Sequence, residues 1–131
     1  MNSSIGAKLQ RSDVTKQIIG AAIEVHRVLG PGLLESAYEH CLCDELKARR
    51  VSFKRQVELP VNYKGRVLDC GYTMDLVVED AVIVELKSIE KIAAIHEAQL
   101  LTYLRLSGYK VGLLINFNVP VLVKGIVRRV L

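Results

Sequence analysis

A chain of 131 residues that is 50% hydrophobic and 24% charged has the balance of an ordinary globular domain, which argues against a disordered or fibrous protein and leaves room for one hydrophobic core. The formal charge of +4 suits a polyanionic partner without requiring one. No window approaches the ~18 apolar residues of a membrane span, and Cys41, Cys43 and Cys70 form an odd set whose first two members point to opposite sides of one helix. A membrane anchor, a disulfide framework and a zinc cage are therefore disfavoured, and free thiols in a reducing cytoplasm are expected.

In chain order, residues 1–12 are expected as a tail on a single domain of residues 1–131. Ser12 or Asp13 offers an N-cap to a helix whose apolar positions Ile18, Ala22, Val25 and Leu29 repeat at helical spacing. Gly30-Pro31-Gly32 should stop it. A second helix runs to about Arg50, with Leu34, Tyr38, Leu42 and Leu46 stacked four apart on one face. From there the period becomes two. Val57, Leu59, Val61 and Tyr63 alternate with Gln56, Glu58, Pro60 and Asn62, which predicts one half-exposed strand, placed at a sheet edge by Pro60.

Lys64-Gly65 reads as a tight turn into a second strand, with Leu68, Cys70, Tyr72, Met74, Leu76 and Val78 on one face and Asp69, Thr73 and Asp75 on the other. A third strand, Val82 to Lys87, follows a turn at Glu79-Asp80-Ala81. Next comes a helix with Ile92, Ile95, Gln99 and Tyr103 on one side, ending at Gly108. Val111 to Phe117 reads as a buried strand, and Val119 to Val130 adds one more. The predicted order is helix, three strands, helix, strand, an α/β arrangement.

Along Val82 to Lys87 the even positions are apolar, while the odd face changes from Ile83 to Glu85 and then Lys87. A three-residue turn pairs Val78 with Val82 and sets Asp75 opposite Glu85. Two carboxylates about 4 Å apart repel by roughly 4 kcal/mol at an effective dielectric near 20, so a positive group should sit between them. Lys87 supplies part of that charge. A hard cation such as Mg²⁺ suits the donor set better. The structural alternative is a surface hairpin in which Lys87 is a simple counter-ion to Glu85.

Asp75 followed by Glu85-Leu86-Lys87 on the next strand, in this element order, resembles the PD-(D/E)xK nuclease superfamily. Gly32-Leu33-Leu34-Glu35-Ser36-Ala37-Tyr38 matches the GxxExxY pattern of a small family within it, and Gln99-Leu100-Leu101-Thr102-Tyr103 resembles the QxxxY motif of exonuclease domains. The resemblance runs from about Ile18 to the C-terminus. It implies a restriction-endonuclease-like αβββαβ core with a mixed central sheet flanked by helices, and Mg²⁺- or Mn²⁺-dependent hydrolysis of nucleic acid, DNA before RNA. Asp75, Glu85 and the Leu86 carbonyl would hold the metal. Lys87 would position or polarise the attacking water, Glu35 would be an additional acidic group, and Gln99 and Tyr103 would line the site. Met74 stands where the superfamily name has Pro.

Each of these residues also has a plainer reading. Glu35 stabilises a helix N-terminus by its charge alone, Tyr38 is a core residue whose hydroxyl would orient Glu35, and Gln99 and Tyr103 make an ordinary polar seam. His26 and His96 are expected to be packed or solvated, and His40 to face solvent. Lys54, Arg55, Lys64 and Arg66, together with Arg49-Arg50, Lys110 and Arg128-Arg129, would bind phosphates if the fold gathered them on one side. The alternative to an enzyme is an inactive nuclease-fold module that binds nucleic acid or a partner protein, or a structural protein that self-associates through its Pro60 edge or its apolar C-terminal strand. A domain this short has no evident specificity domain, which suggests a homodimer or a helper protein.

Overall fold

Residues 10–131 are described by the computed structural model, and their first element is a helix, α1 (Arg11–Leu29). It starts earlier than the expected Ser12 or Asp13 cap. Gln10 takes the N-cap position without a side-chain hydrogen bond, and Asp13 lies in the first turn, where its charge complements the helix dipole. Arg11 and Ser12, expected in the tail, are thus helical, while residues 1–9 of that tail lie outside the described residues. α2 (Glu35–Ala48) follows the glycine-proline break as expected. Its buried stripe is Tyr38, Leu42 and Leu46, but Leu34, placed on that stripe by spacing, is the N-cap residue and is 77% exposed.

The strand region differs from its simplest reading. β1 (Phe53–Glu58) ends before Pro60, and β2 (Val61–Tyr63) and β3 (Arg66–Leu68) form a separate two-stranded hairpin. The hairpin turns at Lys64 and Gly65, both with positive φ, as a tight hairpin turn requires. β4 (Thr73–Val78) then returns to pair with β1. The two long strands expected over Val57 to Tyr63 and Leu68 to Val78 are each split, and their inner halves leave the main sheet. Alternation cannot see this, because a hairpin outside the sheet keeps the same period of two.

The main sheet has the order β1-β4-β5-β6-β7, with β5 (Val82–Lys87), β6 (Val111–Asn116) and β7 (Ile126–Val130). β5 and β6 are parallel, joined by α3 (Ala94–Ser107), and the other neighbours are antiparallel. Gly108 closes α3 in the left-handed conformation, as predicted. β1 lies at a sheet edge, and a 3-10 turn (Leu122–Gly125) precedes β7.

Two apolar layers enclose the sheet. Ile18, Leu42 and Leu46 of α1 and α2 pack with Leu76, Val84, Leu86 and Ile115 on one face, and Leu100 and Leu104 of α3 pack with Val77, Ile83 and Leu114 on the other. β5 is buried on both faces, as a central strand with a parallel neighbour should be. The expected single face for Met74, Leu76 and Val78 is not kept. Leu76 and Val78 join the α1/α2 layer while Met74 joins the α3 layer, so the alternation of β4 breaks at Asp75. Opposite that point Gln56 has φ 48° and leaves the β1–β4 ladder, which pairs Arg55 with Leu76 and resumes at Val57 with Met74. Among the described residues no helix is long and apolar enough to cross a membrane.

Candidate active site

The β4–β5 ladder pairs Val78 with Val82, Val77 with Ile83 and Leu76 with Val84, the register the three-residue turn implied, and it stops there. Beyond it the strands are joined through their carboxylates. The Asp75 N–H donates to Glu85 Oε2 at 2.7 Å, and the Leu86 N–H donates to Asp75 Oδ2 at 2.8 Å. Each acid therefore accepts a backbone hydrogen bond from the strand of the other. The sequence puts this exchange here because an apolar run that needs burial changes, at Glu85, to residues that need charge partners.

Glu85 is buried, at 7% exposure, and its carboxyl is pushed up to about 8 by the loss of water and by the Asp75 charge; the Asp75 N–H and Lys87 act in the opposite direction. Burial also raises the Asp75 carboxyl, with the Glu39 charge adding to it, while the Leu86 N–H, Gln56 and Lys87 pull it down. Among the described residues Lys87 forms no ion pair, and Glu85 Oε1 accepts no hydrogen bond. A buried carboxylate oxygen without a donor, next to a second acid, calls for a positive ligand.

On α3, Gln99 Nε2 donates to the Tyr103 hydroxyl at 3.2 Å. The charges of Glu85 and Asp75 help hold the Tyr103 hydroxyl above its usual range, behind the larger effect of burial. Tyr103 is thus within electrostatic reach of the acid pair, and Gln99, one turn before it, is bonded to its hydroxyl. Glu35 lies at the first turn of α2 and reaches the end of β5, where its Oε2 is 3.3 Å from the Ser88 N–H; its partner is Ser88 and not the acid pair. Ser88 Oγ also donates to the Leu33 carbonyl, so the loop before α2 is tied down one residue beyond Lys87.

The Tyr38 hydroxyl does not orient Glu35. It donates to the Gly30 carbonyl at 2.6 Å and accepts the Leu33 N–H at 3.2 Å, while its ring stacks on Phe117 at 4.3 Å. It pins the loop that carries Glu35.

Glu39 and Gln56 were not anticipated. Glu39, a turn beyond Glu35 on α2, is buried and accepts from Arg55 at 2.7 Å and 2.9 Å and from Gln56 Nε2 at 2.9 Å. Gln56 also approaches Asp75 Oδ1 at 3.4 Å and accepts from Thr73 Oγ1 at 3.0 Å. The spacing of Glu35 and Glu39 was the available signal for the first, and the strand register opposite Asp75 for the second. Arg55, expected at a phosphate surface, is engaged with Glu39, whereas Lys54 is exposed on β1 and Lys64 and Arg66 are exposed on the hairpin. The other basic pairs lie apart, Arg49 against Glu45 and Arg129 against Glu97.

The histidines lie elsewhere. His26 Nε2 meets the Val119 carbonyl at 2.8 Å, His96 Nδ1 accepts the Ala93 N–H at the start of α3, and His40 is exposed.

A family model described as the PD-(D/E)XK nuclease superfamily matches residues 12–130. The chain belongs to that superfamily. Its five-stranded mixed sheet flanked by helices is the restriction-endonuclease-like core expected from the element order. No curated protein and no solved structure gives a significant match. The residues read in the sequence as resembling the superfamily motif, Asp75 and Glu85-Leu86-Lys87, include those joined at the end of the β4–β5 ladder.

PD-(D/E)XK nucleases typically use divalent metals, and the donors here suit one: two acids, one buried oxygen without a partner, and an amine alongside. Among the described residues no group of three or more His, Cys, Asp and Glu side chains is gathered for a metal. An ion at this point would depend on two carboxylates and complete its shell with backbone carbonyl, water and substrate oxygens, the mode Mg²⁺ favours.

Proposed function

We propose that this chain is a divalent-metal-dependent nuclease that hydrolyses phosphodiester bonds of nucleic acid, DNA in preference to RNA, and that it belongs to the GxxExxY family within its superfamily. The observation that supports this most is the reciprocal bonding of Asp75 and Glu85 at the end of the β4–β5 ladder, with a Glu85 oxygen that accepts no hydrogen bond and a lysine that forms no ion pair among the described residues. The family assignment rests on Gly32, Glu35 and Tyr38 at their spacing. Asp75, Glu85 and the Leu86 carbonyl would hold Mg²⁺ or Mn²⁺, with Glu35 as an outer acidic group. Such an ion supplies Lewis acidity, lowering the pKa of a bound water and neutralising charge on the phosphate.

The remaining roles belong to the protein. Lys87 places a fixed positive charge beside the two acids, where an attacking water and the phosphate would meet. The hydrogen-bonded pair of Gln99 and Tyr103 offers polar groups to substrate phosphate on the α3 side. Glu39 holds Arg55 and Gln56, and Gln56 steadies Asp75, so these three act as positioning residues. We read residues 1–131 as one nuclease unit working in the cytoplasm, as a homodimer or with a helper protein that adds specificity.

The test is cleavage of labelled DNA and RNA in Mg²⁺ or Mn²⁺ against a chelator control. Glu85→Ala and Lys87→Ala should each lower the rate by at least about 100-fold while the variants remain folded. Unchanged cleavage in both variants would remove the catalytic assignment.

A further inference from the structure

A cleft of about 420 Å³ runs along α3, with Val61 of the β2–β3 hairpin and Tyr72 on one side and Ile95, Gln99, Thr102 and Tyr103 on the other. One lining residue, Tyr103, feels the charges of Glu85 and Asp75, and Tyr72 leads into β4 three residues before Asp75, so the cleft lies on the side of the candidate active site. Its lining is largely apolar although it is open to water: Ile95 is 71% and Tyr72 48% exposed. Tyr72 precedes Asp75 by three residues, and its ring meets that of Tyr103 edge-on, with centroids 6.2 Å apart. One aromatic ring is thus held against another and left half open in the cleft.

The hairpin that carries Val61 has the opposite chemistry farther along. Lys64 and Arg66 are exposed on the hairpin and form no ion pair among the described residues. The Lys64 amine lies 5.3 Å from the centre of the exposed Tyr63 ring. Asp69, the acid next along the chain, is occupied by the Gly71 N–H at 3.0 Å.

An apolar, aromatic wall beside a hairpin with exposed cations matches an unpaired nucleic-acid strand, which offers base faces for stacking and phosphates for the amines. A duplex offers its backbone and groove edges, with the base faces already stacked on one another, and leaves such a wall unused. We propose that this cleft is a guide for single-stranded nucleic acid, in which Tyr72 stacks a base next to the scissile phosphate and Lys64 and Arg66 follow the backbone. The proposal rests on the nuclease reading above and adds the strandedness of its substrate.

The test is fluorescence anisotropy of the whole chain in chelator, at fixed salt, with a labelled oligothymidylate and with a duplex of equal length. The single strand should bind more tightly than the duplex. Tyr72→Ala should weaken single-strand binding by about tenfold or more, the usual range for losing one stacked base, while Tyr72→Phe stays within about twofold of the parent. Ile95→Glu, at a position too exposed to unfold the helix, should also weaken it, with thermal melts confirming that each variant is folded. Duplex binding as tight as single-strand binding, or Tyr72→Ala and Ile95→Glu both binding like the parent, would overturn the proposal.

A cleavage assay in Mn²⁺ separates the two readings. If only the nuclease reading fails, the Tyr72-dependent binding persists without any cutting. If only the cleft proposal fails, Mn²⁺-dependent cutting persists, acts on duplex, and does not respond to Tyr72→Ala.

Discussion

At Glu85 two costs coincide: a carboxylate withdrawn from water and a second carboxylate next to it, with a single backbone N–H and a lysine as compensation. Its proton affinity in the folded chain exceeds that in the unfolded chain, so between about pH 4.5 and about pH 8 the folded state holds a proton that the unfolded state has released. Stability of the metal-free protein should therefore fall as pH rises through that window, by at most about 1.4 kcal/mol per pH unit. Asp75, raised in the same direction, adds to the fall. Urea denaturation at pH 5 and pH 8 checks this: the parent should lose stability at the higher pH and Glu85→Gln should lose much less. A decline of equal size in both would place its origin elsewhere. Alternation and turn length were enough to set Asp75 opposite Glu85 in the sequence. Glu39 and Gln56 escaped notice because the burial of Glu39 depends on how α2 docks, and no Gly or Asn announces the left-handed backbone at Gln56.

The helices were legible element by element, since apolar spacing and the glycines at positions 30 and 108 mark their extents. The strands were legible in type but not in partner. Pro60 and Gly71 break the run into pieces, and only tertiary pairing decides that β1 and β4 join the main sheet while β2 and β3 stand outside it. That division places Val61 and Tyr72 over α3. The loop between α1 and α2 depends in a similar way on a buried side chain. Tyr38→Phe keeps the ring stacked on Phe117 but removes the group that the Gly30 carbonyl and Leu33 N–H both use. It should cost about 1–2 kcal/mol of stability by thermal or urea unfolding. It should also lower cleavage, because the same loop reaches Ser88 beside Lys87. Full stability in Tyr38→Phe would show that the loop is held by other contacts.

For the whole molecule, the sheet and its two apolar layers bring together, at one end of β4 and β5, a buried acid and a half-buried one that bond to each other's strands. The proposed cation would offset the cost of placing them together, and its affinity should increase as pH rises toward 8 because the occupied site needs Glu85 ionised. Whether basic side chains gather on one face was not legible in the sequence, and the fold engages Arg49, Arg55 and Arg129 with separate acids while Lys64 and Arg66 stay exposed on the hairpin that carries Val61. The most direct measurement is anomalous scattering from crystals of the chain soaked in Mn²⁺. A peak shared by the carboxylates of Asp75 and Glu85 and the carbonyl of Leu86, absent in Glu85→Ala, is the predicted result. Density at other sites only, with none between these two acids, would contradict the account.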